Sequence, residues 1–144
     1  LAEITKAISL DSKNPLYIAQ RGKINFGLTS YEDSYADYGR AINLDPNNFY
    51  YYEQRAHSNY NLGNYLRAYD DYSQAIDMII QEISQQRGDI APSNPLNKSL
   101  RLNLLYRGMT LVQDNRPYDG CDDFKRSYNM GESKARNYMR RYCY

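Results

Sequence analysis

The residues able to do acid–base, nucleophilic or metal chemistry are few and scattered along the sequence. His57 is the only histidine, and Cys121 and Cys143 are the only cysteines, so a zinc site or a histidine-based catalytic pair lacks partners. The acidic pairs Asp70–Asp71 and Asp122–Asp123 are adjacent in sequence, and neighbours on a helix point about 100° apart. We therefore expect these acids on solvated helix faces. The sequence predicts no catalytic residue, no metal site and no cofactor.

Motifs and composition argue against further classes of function. The sequence has no glycine-rich phosphate loop and no Gly-x-Ser-x-Gly element. Eighteen Lys and Arg balance seventeen Asp and Glu for a net charge of +1, and no basic run interleaves with aromatics, so nucleic acid is not an expected partner. The longest apolar run, Met78–Ile80, is far shorter than the roughly 20 residues of a membrane span. The chain starts inside a helical pattern without a methionine, and we interpret it as the C-terminal part of a longer protein.

The elements that position these residues follow an internal repeat. Arg21 and Gly22 recur as Arg55 and Ala56, and Asp37–Tyr38 recurs as Asp71–Tyr72, always 34 residues later. A period held at this many positions indicates a repeat architecture. Degenerate matches to Arg55–Ala56 and Asp71–Tyr72 follow at Arg107–Gly108 and Asp123–Phe124, but 52 residues later instead of 34.

Each period contains two helical patterns. Tyr52, Ala56 and Tyr60 share one helix face, and a second apolar stripe begins at Tyr65. Gly63 separates the two patterns as a helix-ending glycine. Between the periods, a proline stops one helix and an asparagine such as Asn48 can cap the next. Every period is therefore predicted to be a helix–turn–helix.

This pattern resembles the tetratricopeptide repeat, with its alternation of small and large residues at Ala56, Gly63, Tyr65, Ala68 and Tyr72. The resemblance implies an all-α fold, a right-handed α–α superhelix of antiparallel helix pairs with a C-terminal capping helix. The stretch from Asp123 to Ala135 resembles a Sel1-like repeat junction, from a related repeat family. The expected segments are a second helix of a truncated repeat at 1–12, repeat 1 at 13–46, repeat 2 at 47–77, an insert at 78–98, degenerate repeat 3 at 99–130 and the capping helix at 131–144. Within the insert we expect a helix extension to Arg87, followed by a loop over Gly88–Pro95.

In this family the first helix of each pair lines the concave side, where partner peptides bind. Transferring those positions to this chain predicts a partner-binding groove. Its residues are Lys23, Phe26, Tyr50, Glu53, His57, Tyr60, Leu105 and Met109. For Leu105 and Met109, ordinary core packing between helices is an equal alternative.

Co-chaperone members of the family grip a terminal carboxylate with Lys, Asn and Arg at fixed first-helix positions. The matching positions here hold Ala19, Lys23, Gln54, Leu102 and Tyr106. Only Lys23 could serve, so the sequence argues against such a clamp.

Cys121 lies early in the last predicted repeat helix and Cys143 at the end of the capping helix. Antiparallel packing of those helices could bring the two together, and bacterial proteins of this type often carry a similar Cys near the last repeat and a Tyr-Cys ending. We expect either a disulfide that pins the cap or two separate thiols. A disulfide would favour a periplasmic location, because such bonds persist in oxidising compartments.

The function predicted from the resemblance is that of a protein–protein interaction scaffold with a peptide or protein partner. A homodimerisation module is an alternative, and so is an accessory domain of a larger protein whose activity lies upstream.

Overall fold

The computed structural model describes residues 1–86 and 93–144. Within these ranges the chain forms helices and no strands. The α-helices are α1 (Ala2–Leu10), α2 (Pro15–Gly27), α3 (Tyr31–Leu44), α4 (Phe49–Asn61), α5 (Tyr65–Gln85), α6 (Pro95–Gln113), α7 (Cys121–Asn129) and α8 (Ala135–Tyr142), and a short 3-10 helix spans Pro117–Gly120. Helices α2 and α3, α4 and α5, and α6 and α7 form three antiparallel hairpins, each packed against the next. No helix in the described ranges is long and apolar enough to cross a membrane.

Asparagines start the first helix of every hairpin. The side chains of Asn14, Asn48 and Asn94 accept hydrogen bonds from the backbone N–H two residues later, at 3.1, 3.2 and 2.8 Å. Each bond satisfies one of the four N–H groups that a helix start leaves without an internal partner. The cap predicted at Asn48 is therefore confirmed.

The turn inside each hairpin uses a residue in the left-handed region. Thr29, Gly63 and Asn115 have φ values of 60°, 75° and 57°. A glycine adopts this conformation without a Cβ penalty, and asparagine tolerates it better than most residues. Asn115 thus replaces the helix-ending glycine that the third repeat lacks.

Small residues on the first helices allow large ones on the second helices to pack closely. A Cβ added to Gly22 would lie 3.1 Å from Tyr38, and one added to Gly108 would lie 2.7 Å from Phe124. Ala56 packs in the same way with Tyr72. Tyr38, Tyr72 and Phe124 are fully buried, so the repeated small–large pair builds the core of each hairpin.

A buried ion pair accompanies each small–large pair. Arg55 donates to Asp71 at 3.0 and 2.6 Å, and Arg107 donates to Asp123 at 2.7 Å through both Nε and Nη2. Arg21 pairs with Asp37 in the same way. The expectation that Asp71 and Asp123 lie on solvated faces is therefore wrong, because both carboxylates are buried and each is held by a guanidinium group.

The junction between repeats 2 and 3 differs from its predicted bounds. Helix α5 runs to Gln85, and Arg87 with the rest of 87–92 lies outside the described residues. Helix α6 begins at Pro95, before the predicted repeat boundary at 99 and inside the predicted loop. A proline fits the first helical position, where no N–H bond is required. The longer helices bury Ile79, Leu96 and Leu100 together.

Candidate functional site

The first helices α2, α4 and α6 form one continuous surface, here called the first-helix face. It carries most of the predicted groove residues in exposed or half-buried positions. Lys23 is exposed, Tyr50 is 36% exposed, and Phe26 and Tyr60 are half-buried. The face therefore offers aromatic side chains that retain some contact with solvent.

A line of rings crosses the first-helix face from one hairpin to the next. The His57 ring lies 6.4 Å from that of Phe26 and 4.8 Å from that of Tyr106, measured between centroids. Tyr106 in turn stacks on Tyr72, with centroids 6.1 Å apart and ring planes 14° apart. Three successive first helices thus each contribute one ring to a shared floor.

His57 is the centre of this floor and is held as a neutral imidazole. Its side chain is only 21% exposed, and burial lowers its pKa to about 4. Its Nδ1 lies 2.6 Å from the hydroxyl of Tyr72, and a neutral imidazole can accept that proton. Near neutral pH the ring therefore serves as a polar packing element.

Glu53 lies one helical turn before His57, with its Oε1 3.9 Å from the histidine Nε2. Its Oε2 accepts a 2.9 Å hydrogen bond from Asn103 of α6, and Gln54 donates to Oε1 at 3.3 Å. Burial raises the pKa of the Glu53 carboxyl, and the bonds from Asn103 and Gln54 act against that shift. A buried polar link therefore ties α4 to α6 beside the rings.

The capping helix α8 covers the third-repeat part of the predicted groove. Leu105 is 3% exposed, and it shares a cluster with Met109 of α6 and with Tyr138 and Met139 of α8. Of the two alternatives left open for Leu105, groove lining and core packing, the structure has core packing. An apolar stripe on a terminal repeat must be buried, and α8 provides the cover. Met109 is half-buried in the same cluster.

Tyr138 places α8 in the position of a further first helix. Its ring stacks on Phe124, with centroids 5.0 Å apart and planes 17° apart. Phe124 occupies in α7 the position of Tyr72 in α5, so Tyr138 repeats the stacking of Tyr106 on Tyr72. Helix α8 thus extends the first-helix face by one helix.

Cys121 and Cys143 form a disulfide with a Cα–Cα distance of 5.7 Å. It joins the start of α7 to the residue that follows α8. The end of the first-helix face is thereby fixed to the last hairpin by a covalent bond.

Among the described residues, no group of three His, Cys, Asp or Glu side chains is arranged to hold a metal ion. The buried carboxylates Asp37, Asp71 and Asp123 are each engaged by an arginine. The arrangement is suited to contact with another surface through rings, amides and a few charges.

Several solved structures share this architecture. No protein-family model matches the sequence, and no curated protein matches it significantly. The first repeat domain of Spaghetti (RPAP3), solved with an HSP90 peptide, is 19% identical with a TM-score of 0.72, over 92% of this chain and 93% of that chain. The second repeat domain of human RPAP3, solved with an HSP70 peptide, is 20% identical with a TM-score of 0.70, over 91% and 99%. The N-terminal domain of STI-1 from C. elegans is 16% identical with a TM-score of 0.69, over 86% and 93%.

The chain has the tetratricopeptide repeat fold. The all-α solenoid predicted from the 34-residue period is thereby confirmed.

Several residues of this tetratricopeptide site were not predicted from the sequence. Asn103, Tyr72 and the stacking role of Tyr106 emerge only from contacts between repeats. Tyr72 carried a signal, because it recurs at the large-residue position of the period. Asn103 carried none, since its contact with Glu53 joins residues 50 positions apart.

Proposed function

We propose that this chain is a non-catalytic interaction module that binds a peptide or partner segment on its first-helix face. The observation that carries the proposal is the ring floor of Phe26, His57 and Tyr106, which spans three hairpins and is not fully buried. Rigid aromatic side chains supply large contact area at small entropic cost and dominate many interfaces. Two structurally similar domains were solved with peptides, which supports the same use of the fold.

The ligand chemistry differs from that of a terminal-carboxylate clamp. Ala19 is buried and offers no charge, and Tyr106 is occupied in the stack on Tyr72. Lys23 is the one basic residue at the five clamp positions. We therefore expect a ligand that packs on tyrosines and bonds to the amide of Gln54, rather than one gripped by its terminus.

A displayed library of random peptides, selected on the purified chain, provides the probe for this proposal. Fluorescence anisotropy then gives the Kd of one selected peptide for the wild type and for two groove variants, Tyr50→Ala and Lys23→Ala. Tyr118→Ala is the matched control, because Tyr118 is 79% exposed and lies in the 3-10 helix. We expect Tyr50→Ala to weaken binding by about tenfold, as for a contact residue worth about 1.4 kcal/mol.

An unchanged Kd in both groove variants, or a loss in Tyr118→Ala alone, would contradict the assignment of this face. A concentration-dependent dimer in light scattering, broken by Tyr50→Ala, would instead assign the face to self-association.

We further infer an oxidising compartment such as the bacterial periplasm, on the support of the Cys121–Cys143 disulfide. Mass spectrometry of protein purified from its native compartment without reductant tests the inference. Two alkylated thiols there would contradict it.

A further inference from the structure

The free side of α8 forms a shallow cleft at the C-terminal end of the first-helix face. The cleft has a volume of about 350 Å³ and is lined by Lys134, Asn137, Tyr138, Arg141 and Tyr142. These residues share one side of the helix, because they recur at three- and four-residue spacing. Since α8 occupies the position of a first helix, this side of α8 continues the surface proposed to bind partners.

The floor of the cleft is aromatic. Tyr142 stacks on Tyr138 with centroids 6.4 Å apart and planes 21° apart, and Tyr138 rests on the buried Phe124. The guanidinium of Arg141 lies 5.3 Å from the centre of the Tyr142 ring. The floor is therefore supported from below and holds one cation close to its surface.

The charges around the cleft are all positive and are not neutralised within the described chain. Between Lys134 and Tyr142 the sequence holds Lys134, Arg136, Arg140 and Arg141 and no acidic residue. None of these four side chains forms an ion pair within residues 1–86 and 93–144.

The acids on neighbouring elements are engaged elsewhere or lie on other surfaces. Asp123 is paired with Arg107 and Asp119 with Arg116. Glu132 accepts a bond from the backbone N–H of Lys134. Asp122, next to Asp123 on α7, is exposed and does not line the cleft.

We propose that the cleft on α8 binds an acidic, aromatic-containing peptide segment of a protein partner, with carboxylates at Lys134 and Arg141 and a ring against Tyr138 and Tyr142. The inference rests on the proposed function, since it assigns the partner chemistry at one end of the same face. Complementary charge favours a carboxylate-bearing ligand, and the tyrosine floor between the two cations favours a peptide over an extended polyanion. The capping helix is thereby also a binding element.

The test uses two fluorescein-labelled synthetic peptides and fluorescence anisotropy. In the first peptide glutamates alternate with phenylalanines, and in the second each glutamate is replaced by glutamine. The chain is used as the wild type, as the double variant Lys134→Glu/Arg141→Glu, and as the control Lys13→Glu/Arg40→Glu. The control makes the same charge change at exposed positions in repeat 1.

We expect the wild type to bind the glutamate peptide about tenfold more tightly than the glutamine peptide, as two partly exposed ion pairs allow. The α8 double variant should lose this preference while keeping its helical circular dichroism, and the control should retain it. A third peptide with lysine in place of glutamate should bind the α8 double variant better than it binds the wild type.

Equal affinity of the wild type for the glutamate and glutamine peptides, or a preference that survives in the α8 double variant, would overturn the proposal. Tighter binding of a duplex DNA oligonucleotide than of the glutamate peptide, lost in the same variant, would assign the cleft to nucleic acid and overturn it as well. The proposed function fails separately: it is refuted when Tyr50→Ala and Lys23→Ala both leave the Kd of the library-selected peptide unchanged, whatever happens at α8.

Discussion

Arg107 and Asp123 lie sixteen residues apart and are joined by two hydrogen bonds of 2.7 Å between guanidinium and carboxylate. The same separation joins Arg55 to Asp71. Each of these arginines also lies over a tyrosine of the preceding hairpin: Arg107 is 5.5 Å from the Tyr69 ring centre and Arg55 is 5.9 Å from that of Tyr35. One side chain therefore links the two helices of its own repeat and contacts the repeat before it.

Removing one partner of such a pair should be costly. Asp123→Ala leaves the largely buried Arg107 without its carboxylate partner, and we expect a loss of about 3 kcal/mol in the free energy of unfolding. The double variant Arg107→Met/Asp123→Leu should recover most of that loss, because no charge is then left unpaired. Urea unfolding followed by circular dichroism measures both. Equal losses in the single and double variants would show that packing, rather than the unpaired charge, sets the cost.

The close approach of Gly108 to Phe124 predicts opposite effects of one substitution at two glycines. Gly108→Ala places a methyl group 2.7 Å from the ring and should destabilise the fold by about 1–3 kcal/mol. Gly39→Ala, in α3, meets nothing closer than 3.9 Å and should stabilise by about 0.5–1 kcal/mol through helix propensity. Thermal unfolding of both variants checks the signs, and a stable Gly108→Ala would contradict the packing described.

The left-handed turn residues predict a reciprocal pair of effects. Thr29 is β-branched with a φ of 60°, which is costly for such a side chain. We expect Thr29→Gly to stabilise the fold by about 1 kcal/mol and Gly63→Thr to destabilise it by a similar amount. Chemical denaturation of the two variants in parallel is the measurement. A loss of stability in Thr29→Gly would mean that the threonine side chain contributes more than its backbone strain.

Burial of neutral His57 predicts a loss of stability in acid. Its folded pKa is about 4, below the ordinary value of about 6.5, so the unfolded chain binds the proton more readily. The stability that neutral His57 contributes to the fold is complete above pH 6.5. About 3 kcal/mol of it is lost as the pH falls to 4. The raised pKa of Glu53 acts in the opposite direction. A His57→Gln variant keeps Glu53, so the comparison isolates the histidine.

Unfolding free energies of the wild type and His57→Gln at pH 7 and pH 4 provide the check. We expect the wild type to lose about 3 kcal/mol more than the variant over this interval. Parallel pH profiles would mean that His57 is as well solvated in the fold as in the unfolded chain.

Reduction of the disulfide should loosen α8 before the rest of the array. The bond closes a segment of 22 residues in sequence separation, for which chain entropy predicts a stabilisation of about 3 kcal/mol. Hydrogen exchange should therefore become faster in residues 135–142 when reductant is added, and it should stay unchanged in α4. A Cys121→Ser/Cys143→Ser variant should behave as the reduced protein does, and unchanged α8 protection in both would contradict this role.

The sequence predicted the helix pairs because spacing and helix-stop signals are local. Gly63 ended α4 and Asn48 capped it as expected, since each acts within a few residues of its own position. The predicted start of α6 is wrong because turn-forming Asn94-Pro95 falls in the predicted loop, whereas the structure uses it as the cap and first residue of the helix. The same dipeptide at Asn14-Pro15 opens α2, and that recurrence was the available signal.

The candidate site was less predictable, because it depends on contacts between repeats. The family positions of Lys23 and Tyr50 could be transferred, but the burial of Leu105 depends on where α8 packs. The pairing of Arg55 with Asp71 was recoverable in principle, since both residues recur at the same offset in all three repeats. An alignment by period shows that they recur together, and only the fold shows that they touch.

The stacks Tyr72–Tyr106 and Phe124–Tyr138 have a consequence for cooperativity. The buried ion pairs Arg55–Asp71 and Arg107–Asp123 lie within single hairpins, whereas these ring stacks cross from one hairpin to the next helix. In a linear array, the first kind of contact sets the intrinsic free energy of each unit and the second sets the coupling between units. Loss of Asp71 or Asp123, whose bonds stay within one hairpin, should lower the stability of one unit while the array still unfolds together. Loss of a ring should divide the transition into steps.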